Sequence, residues 1–338
     1  MSHTVEDTAM VASQTTLPVA KMALKSRLAD LVIRNAMVLV ILICVIYFTS
    51  INYRFATVGN LQTILISAAP FALIAFGQTL VILSGGIDLS VGSTMALTAM
   101  LCALTAKDLH GGIALLLVVA VVAGAAVGIV NGFLVSTLRV TAFVATLATM
   151  TAVRGLAYAV GNGAPITGLP SDYGKLANAT VLGLQLPVWI AIVGFFVLVF
   201  VMRKTAYGTR LYAVGGNPIA SAIAGVKVNR VLFSVYLIGG ALAGLAGLML
   251  STRVTSGAPT LASGYELNAI AAVVIGGASL LGGRGTIWGT AIGLLLIQTL
   301  NNGLDIMLVP SYFQDVIKGA LIAAAVAVDV FVSRRSRE

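Results

Sequence analysis

GIALLLVVAVVAGAAVGIVNGFLVS, Gly112 to Ser136, contains no Asp, Glu, Lys or Arg. An apolar stretch of that length reads as a membrane-crossing helix, because a hydrocarbon core about 30 Å thick takes about 20 residues at 1.5 Å each. Runs of the same kind recur at approximately 35–52, 61–83, 89–106, 142–160, 187–202, 230–251, 266–281, 286–303 and 312–333. Several are Gly-rich, and the gaps between them are short except at 161–186 and 203–229. The expectation is an all-α polytopic membrane protein with about ten transmembrane helices.

Composition agrees. Of 338 residues, 59% are apolar and 9% charged, against about 45–50% and about 25% in a soluble domain. With a mean hydropathy of +1.04, these values exclude an ordinary soluble enzyme and a disordered chain. The 36 glycines follow no Gly-X-Y period, which excludes collagen.

The net charge of +9 sets orientation rather than pointing to nucleic acid, since the cations sit in a few loops and both tails without interleaved aromatics. With a cytoplasmic N-terminus, the inside regions are the N-tail, 137–141, 203–230, 282–285 and the C-tail. These hold 14 of the 20 Lys and Arg residues. An odd number of spans would strand either the N-terminal cluster or Arg334, Arg335 and Arg337 outside. Both termini are therefore expected in the cytoplasm. Residues 1–34 read as a cytoplasmic tail, 35–333 as the membrane domain with 203–229 as a cytoplasmic loop, and 334–338 as a basic tail. Within the first tail, Met22, Leu24, Leu28, Leu31 and Val32 oppose Lys21, Lys25, Arg27 and Arg34, the pattern of an amphipathic surface helix. No cleavable signal is evident. Cys44 and Cys102 lie inside apolar runs as core thiols, and His3 and His110 are too far apart for a metal site.

Two short segments interrupt this pattern. VILSGGIDLSVGST (Val81–Thr94) and VVIGGASLLGGRG (Val273–Gly285) share G-G-x-x-L-x-x-G. Gly85, Gly86, Leu89 and Gly92 line up with Gly276, Gly277, Leu280 and Gly283 at an offset of 191. Each copy lies between two apolar runs, and both fall on the same side, as in a parallel repeat. Paired glycines break helices and let backbones approach closely, and broken helices at corresponding places in two halves point to a transport path. Close helix packing without a cavity is the structural alternative. Asp88 lies in the first copy and either lines that path or caps the third span. Glu266 and Asn268, in YELNA, either open a helix or line an outward mouth. Gln78, Asn131, Gln298, Asn301 and Asn302 are further polar groups within apolar runs. Asp315 and Lys318 are spaced to pair on one helix face. Arg154 reads as snorkelling to the outer interface. The candidate path residues are thus Gly85, Gly86, Asp88, Gly92, Glu266, Asn268, Gly276 and Gly277.

The loop 203–229, with Arg230, carries five cations and no acid. GGNP (Gly215–Pro218) reads as a turn, with Asn217 and Pro218 starting a helix of about two turns that Gly225 closes. A short projecting helix with small residues suits either docking into a partner's groove or anchoring at lipid headgroups.

GGIDLSVGS (Gly85–Ser93), AVGGNPIASAIAGVKV (Ala213–Val228) and YELNAIAAVVIGGASLLGGRGTIWGT (Tyr265–Thr290), in that order, resemble the permease subunits of ribose-type sugar ABC importers. VATLATMTAVRGLAYAVGNGAPI (Val144–Ile166) fits as well, and the resemblance runs over about 60–325. Thr141 departs from it where a proline is expected, which touches only the start of the fifth span. A related branch carries branched-chain amino acids, but GGIDLSVG with AVGGN favours sugars.

The resemblance implies a channel-forming subunit of a bacterial inner membrane, paired with a second copy or a related permease. It implies separate ATPase subunits below and a periplasmic or extracellular sugar-binding protein outside. The docking segment falls on Ala213–Val228, which makes Arg210, Gly215, Gly216, Asn217, Ala220 and Gly225 the candidate ATPase-coupling residues. No G-x-x-x-x-G-K-[ST] occurs, so ATP is expected to be used by the partner, with no catalytic residue, metal or cofactor in this chain. An ion-coupled secondary transporter is the alternative, and it would need several acids in mid-span, which are scarce here.

Overall fold

The computed structural model describes residues 36–109, 112–320 and 323. The expected amphipathic segment 21–34 and the basic tail 334–338 lie outside them. A helix lies on each of the ten apolar runs. In chain order these are α1 (Ala36–Ile51), α2 (Val58–Leu83), α3 (Val91–Asp108), α4 (Ile113–Ser136) and α5 (Ala142–Val160). A short helix α6 (Lys175–Asn178) and a two-residue hairpin, Thr180–Val181 with Leu184–Gln185, follow before α7 (Leu186–Lys204). Then come α8 (Ala206–Gly216), α9 (Pro218–Ile223), α10 (Val228–Val254), α11 (Tyr265–Ile275), α12 (Ile287–Ile306) and a helix over 311–320. Among the described residues, α2, α4, α5, α7 and α10 are long and apolar enough to cross a membrane by length and composition.

The core is built on α2 and α10. In α2, every residue from Ala68 to Leu83 is buried. The most extensive contact joins α4 to α10, and glycine makes it possible. Gly124 and Gly128 on α4 face Gly240, Gly244 and the Tyr236 backbone on α10. A methyl on any of these glycines would run into the other helix's main chain. Where lipid tails are as apolar as leucine, close backbone approach supplies the packing that the hydrophobic effect supplies in water. The hydroxyls of Thr79 and Thr290, 2.7 Å apart, join α2 to α12.

One helix is shorter than its run suggests. α11 ends at Ile275, six residues before the end of the 266–281 stretch, and its 11 residues reach about 16 Å, half of a bilayer core. The preceding segment, 255–264, folds back along α3. Gly257 exchanges two main-chain hydrogen bonds with Ile166, of 2.7 and 3.0 Å. Its Cα side faces Ala99, Met100 and Ala103, and further on the carbonyl of Ala262 faces Gly92. The first turns of α3 and α11 therefore meet inside the helix bundle.

Gly128→Val is expected to lower the thermal unfolding midpoint in detergent, since its Cβ would sit 2.9 Å from the Leu237 Cα, with an overpacking cost of about 1–3 kcal/mol. Gly155→Ala, with nothing within 4 Å, should stay within about 0.5 kcal/mol of the parent.

Candidate functional site

Both expected breaks are present, and they are built alike. α2 closes with Gly85 at φ +84°, its N–H on Ile82 O at 2.9 Å and the Gly86 N–H on Val81 O at 3.0 Å. α11 closes with Gly277 at φ +86°, its N–H on Val274 O at 2.9 Å and the Ala278 N–H on Val273 O at 3.1 Å. This is the left-handed helix stop that glycine favours. Its register pairs Gly85 with Gly277 and Ser84 with Gly276, an offset of 192 rather than 191. Gly92 and Gly283 are consequently not equivalent: Gly92 lies in the first turn of α3, and Gly283 is in the loop at φ +70°.

After Gly86 the chain is extended to Ser90, and side chains from three helices supply its hydrogen bonds. Gln78 of α2, with its amide turned to match donors to acceptors, donates to Asp88 O at 3.1 Å and accepts from Asp88 N at 3.2 Å. Thr146 of α5 donates to Ile87 O at 3.1 Å. The Asp88 carboxylate, 2% exposed, accepts from the Ser90 N–H at 2.8 Å and the Ser90 hydroxyl at 2.6 Å. Asn131 of α4 donates to that hydroxyl at 2.8 Å. Buried peptide groups need such partners because hydrocarbon provides none. Ser90, not Asp88, occupies the N-cap position of α3, and Asp88 acts one step earlier by holding Ser90.

The second break, 276–286, lies against the first. The Gly283 N–H donates to Leu83 O at 2.9 Å, and an added Cβ on Gly282 would lie 2.9 Å from the Gly85 nitrogen. The end of α8 packs onto both: a Cβ on Gly215 would overlap Leu83 O and stand 2.7 Å from the Gly283 nitrogen. Tyr212 fastens the same junction by donating to Gly285 O at 2.9 Å. Burial pushes the Tyr212 phenol above its ordinary value, with Arg203 opposing, and burial does the same to Tyr207, opposed by its bond to Ser234. Both hydroxyls stay protonated near neutral pH.

Asn217 and Pro218 start α9 as expected. The Asn217 side chain accepts from the Ala220 N–H at 2.9 Å, and Gly225 at φ +83° ends the helix. Ile219 and Ile223, one turn apart, are 74% and 84% exposed. The expected turn at Gly215–Gly216 is instead the last turn of α8. Tyr207, Leu211 and Val214 on its inner face mark it at helical spacing, a signal present in the sequence. Arg210 is exposed.

The remaining candidates separate. Gly92 meets Glu266: a Cβ there would overlap the Glu266 Oε2, which is buried without a partner, while Oε1 accepts from the Gly264 N–H at 3.2 Å. Asn268 faces α12 and the 311–320 helix, lining a small cavity with Asn301 and Lys318. Gly276 packs on the Gly289 main chain. Asn302 exchanges amide hydrogen bonds with Asn60 at 2.8 and 2.9 Å, and Gln298 reaches Ser67 O at 3.4 Å. Asp315 and Lys318 pair at 2.9 Å. Arg154, read as reaching for the outer interface, donates to Pro259 O at 2.6 Å and Leu261 O at 2.9 Å.

An apolar helical bundle with two broken helices joined to a projecting, capped surface helix defines a polytopic membrane permease. Residues 60–326 match the family model described as the permease component of the branched-chain amino acid transport system, and the chain belongs to this family. It is 44% identical over 291 residues to the ribose import permease protein RbsC of Bacillus subtilis, covering 85% of this chain and 89% of that one. RbsC of Escherichia coli K12 is 42% identical over 301 residues, 88% and 92% of the two chains. The L-arabinose ABC transporter permease protein AraH of Azospirillum brasilense is 34% identical over 308 residues, 91% of each. Within the family the chain thus stands with the ribose-type ABC permeases. No solved structure matches it significantly.

Asp88→Ala should destabilise the folded chain by about 1–3 kcal/mol, because the buried Ser90 N–H and hydroxyl lose their acceptor. Asp88→Asn, whose Oδ1 still accepts both bonds, should melt close to the parent. Thermal unfolding in detergent distinguishes the two.

Proposed function

We propose that this chain is the permease subunit of a bacterial ABC importer, forming the path for a sugar or polyol across the inner membrane. The observation that carries the reading is the junction at Gly215. α9 presents two exposed isoleucines from a loop whose only charges are cations, and its root rests on both helix breaks at once. A partner ATPase that grips α9 would move the breaks through that contact.

The chain crosses the membrane ten times with both termini inside, pairs with a second copy or related permease, and receives its solute from a binding protein outside. Sugars are the solute class, as in the relatives named for ribose and L-arabinose. ATP is consumed by the partner. ATP binding draws the two α9 helices together and opens the path outward, and hydrolysis returns it to the cytoplasmic side. Gly85, Gly86, Gly276 and Gly277 are the flexible points of that path, Gly92 and Glu266 line it together, and Asn268 is a polar group beside it. Asp88 keeps the first break in shape. Arg210, Gly215, Gly216, Asn217, Ala220 and Gly225 shape and support the coupling helix.

Gentle detergent purification from native cells is expected to bring down an ATPase subunit in stoichiometric amount, with uptake that stops on ATP depletion. A chain that purifies alone, with uptake that follows the proton gradient, overturns the reading.

Asn217→Ala removes the α9 cap, a loss of about 1 kcal/mol that frays a helix of only six residues. The subunit should still reach the membrane, while uptake falls and ATP hydrolysis no longer responds to sugar-loaded binding protein. Normal sugar-stimulated hydrolysis in this variant counts against α9 as the coupling element.

A further inference from the structure

Arg154 stands on α5, 105 residues before the carbonyl of Pro259 that it holds at 2.6 Å and 107 before that of Leu261 at 2.9 Å. Both acceptors belong to the segment that folds back into the bundle between α10 and α11. A guanidinium away from bulk water needs its charge met by oxygen atoms. Here two carbonyls of the returning segment meet it directly, and among the described residues Glu266 forms no ion pair with it.

The residue after the clamped pair, Ala262, is buried and left-handed at φ +55°, a strained conformation for a side chain with a Cβ, and it persists only where its surroundings impose it. Its carbonyl and the unpartnered Oε2 of Glu266 both lie against Gly92 in the first turn of α3. Two glycines, at φ +84° and +81°, flank the region at Gly85 and Gly264, so the chain on either side can turn. The clamp thus fixes a returning segment that carries two left-handed residues with a Cβ, Thr255 at φ +49° and Ala262.

We infer that Arg154 is a positioning residue for Glu266: by pinning Pro259 and Leu261 to α5, it holds the N-terminus of α11 so that the Glu266 carboxylate stays against Gly92. Displacement of α5 during transport is then passed to Glu266 through the 259–264 segment. This role for α5 rests on the transport reading, whereas the clamp itself can be measured without transport.

Two measurements test it. In the first, uptake per assembled importer is compared for Arg154→Met and Arg154→Lys, in the native background and with Glu266→Ala. Arg154→Met should cost about tenfold in the native background and less than about twofold once Glu266 is gone, the non-additivity of two residues acting as one unit. Arg154→Lys, whose ammonium still donates to both carbonyls, should recover much of the loss. Equal losses in both backgrounds, or a loss matched by the amount of complex assembled, overturn the positioning role.

The second uses the purified full-length chain with Leu261→Cys in a Cys44→Ser, Cys102→Ala background. Arg154→Met should speed labelling by a water-soluble maleimide about fivefold, because the unclamped segment opens more often. An unchanged rate overturns the clamp, and this readout decides where the Glu266→Ala background carries too little uptake to resolve. Because it needs neither ATPase nor sugar, its failure is distinct from failure of the importer reading.

Discussion

The N–H of Gly283 meets the carbonyl of Leu83 across 2.9 Å, and the junction of α2, α8 and the 276–286 loop is arranged around that bond. A helix that stops inside a packed bundle leaves carbonyls without partners, and apolar side chains offer them none. Here one broken helix answers the other. The contact works because four residues at the crossing lack a side chain: Gly85, Gly215, Gly282 and Gly283 lie backbone to backbone beside the Leu83 carbonyl. A projecting helix is thereby tied to two interruptions nearly 200 residues apart in sequence.

The same constraint explains four of the polar side chains in the apolar helices. Gln78, Thr146 and Asn131 serve the main chain or the Ser90 hydroxyl of one extended segment, and Arg154 serves another. A polar residue in a membrane helix is often read as pathway lining. In this bundle such residues first replace the water that irregular backbone has lost. What is left over is small: the Oε2 of Glu266, the Oε1 of Gln185, the Oδ1 atoms of Asn131 and Asn301, and the hydroxyls of Thr49 and Tyr236 are buried without partners among the described residues.

Much of this was legible in the sequence where the cause is local. Apolar length placed a helix on each run, because twenty residues without charge have few alternatives in a bilayer. Asn217, Pro218 and Gly225 bound α9 because a cap, a fixed φ and a left-handed stop act within one turn. What escaped depends on partners distant in the chain. Gly215 and Gly216 look like a turn, yet they are helical, and the missing side chain of Gly215 makes room for Leu83 and Gly283 rather than for a bend. The G-G-x-x-L-x-x-G match was off by one because glycine is abundant, and only the left-handed φ at Gly85 and Gly277 sets the register. Nothing near Arg154 announces two carbonyls more than a hundred residues away.

The exposure of Ile219 and Ile223 bears on how such a chain comes to be made. A membrane subunit inserted ahead of its partner would carry these two aliphatic side chains into the aqueous phase on a six-residue helix, held out by its cap and unable to fold them away. In the importer proposed above, their burial waits on the ATPase subunit. Supply of that partner, rather than insertion, would then set how long a newly made subunit stays vulnerable to aggregation and proteolysis.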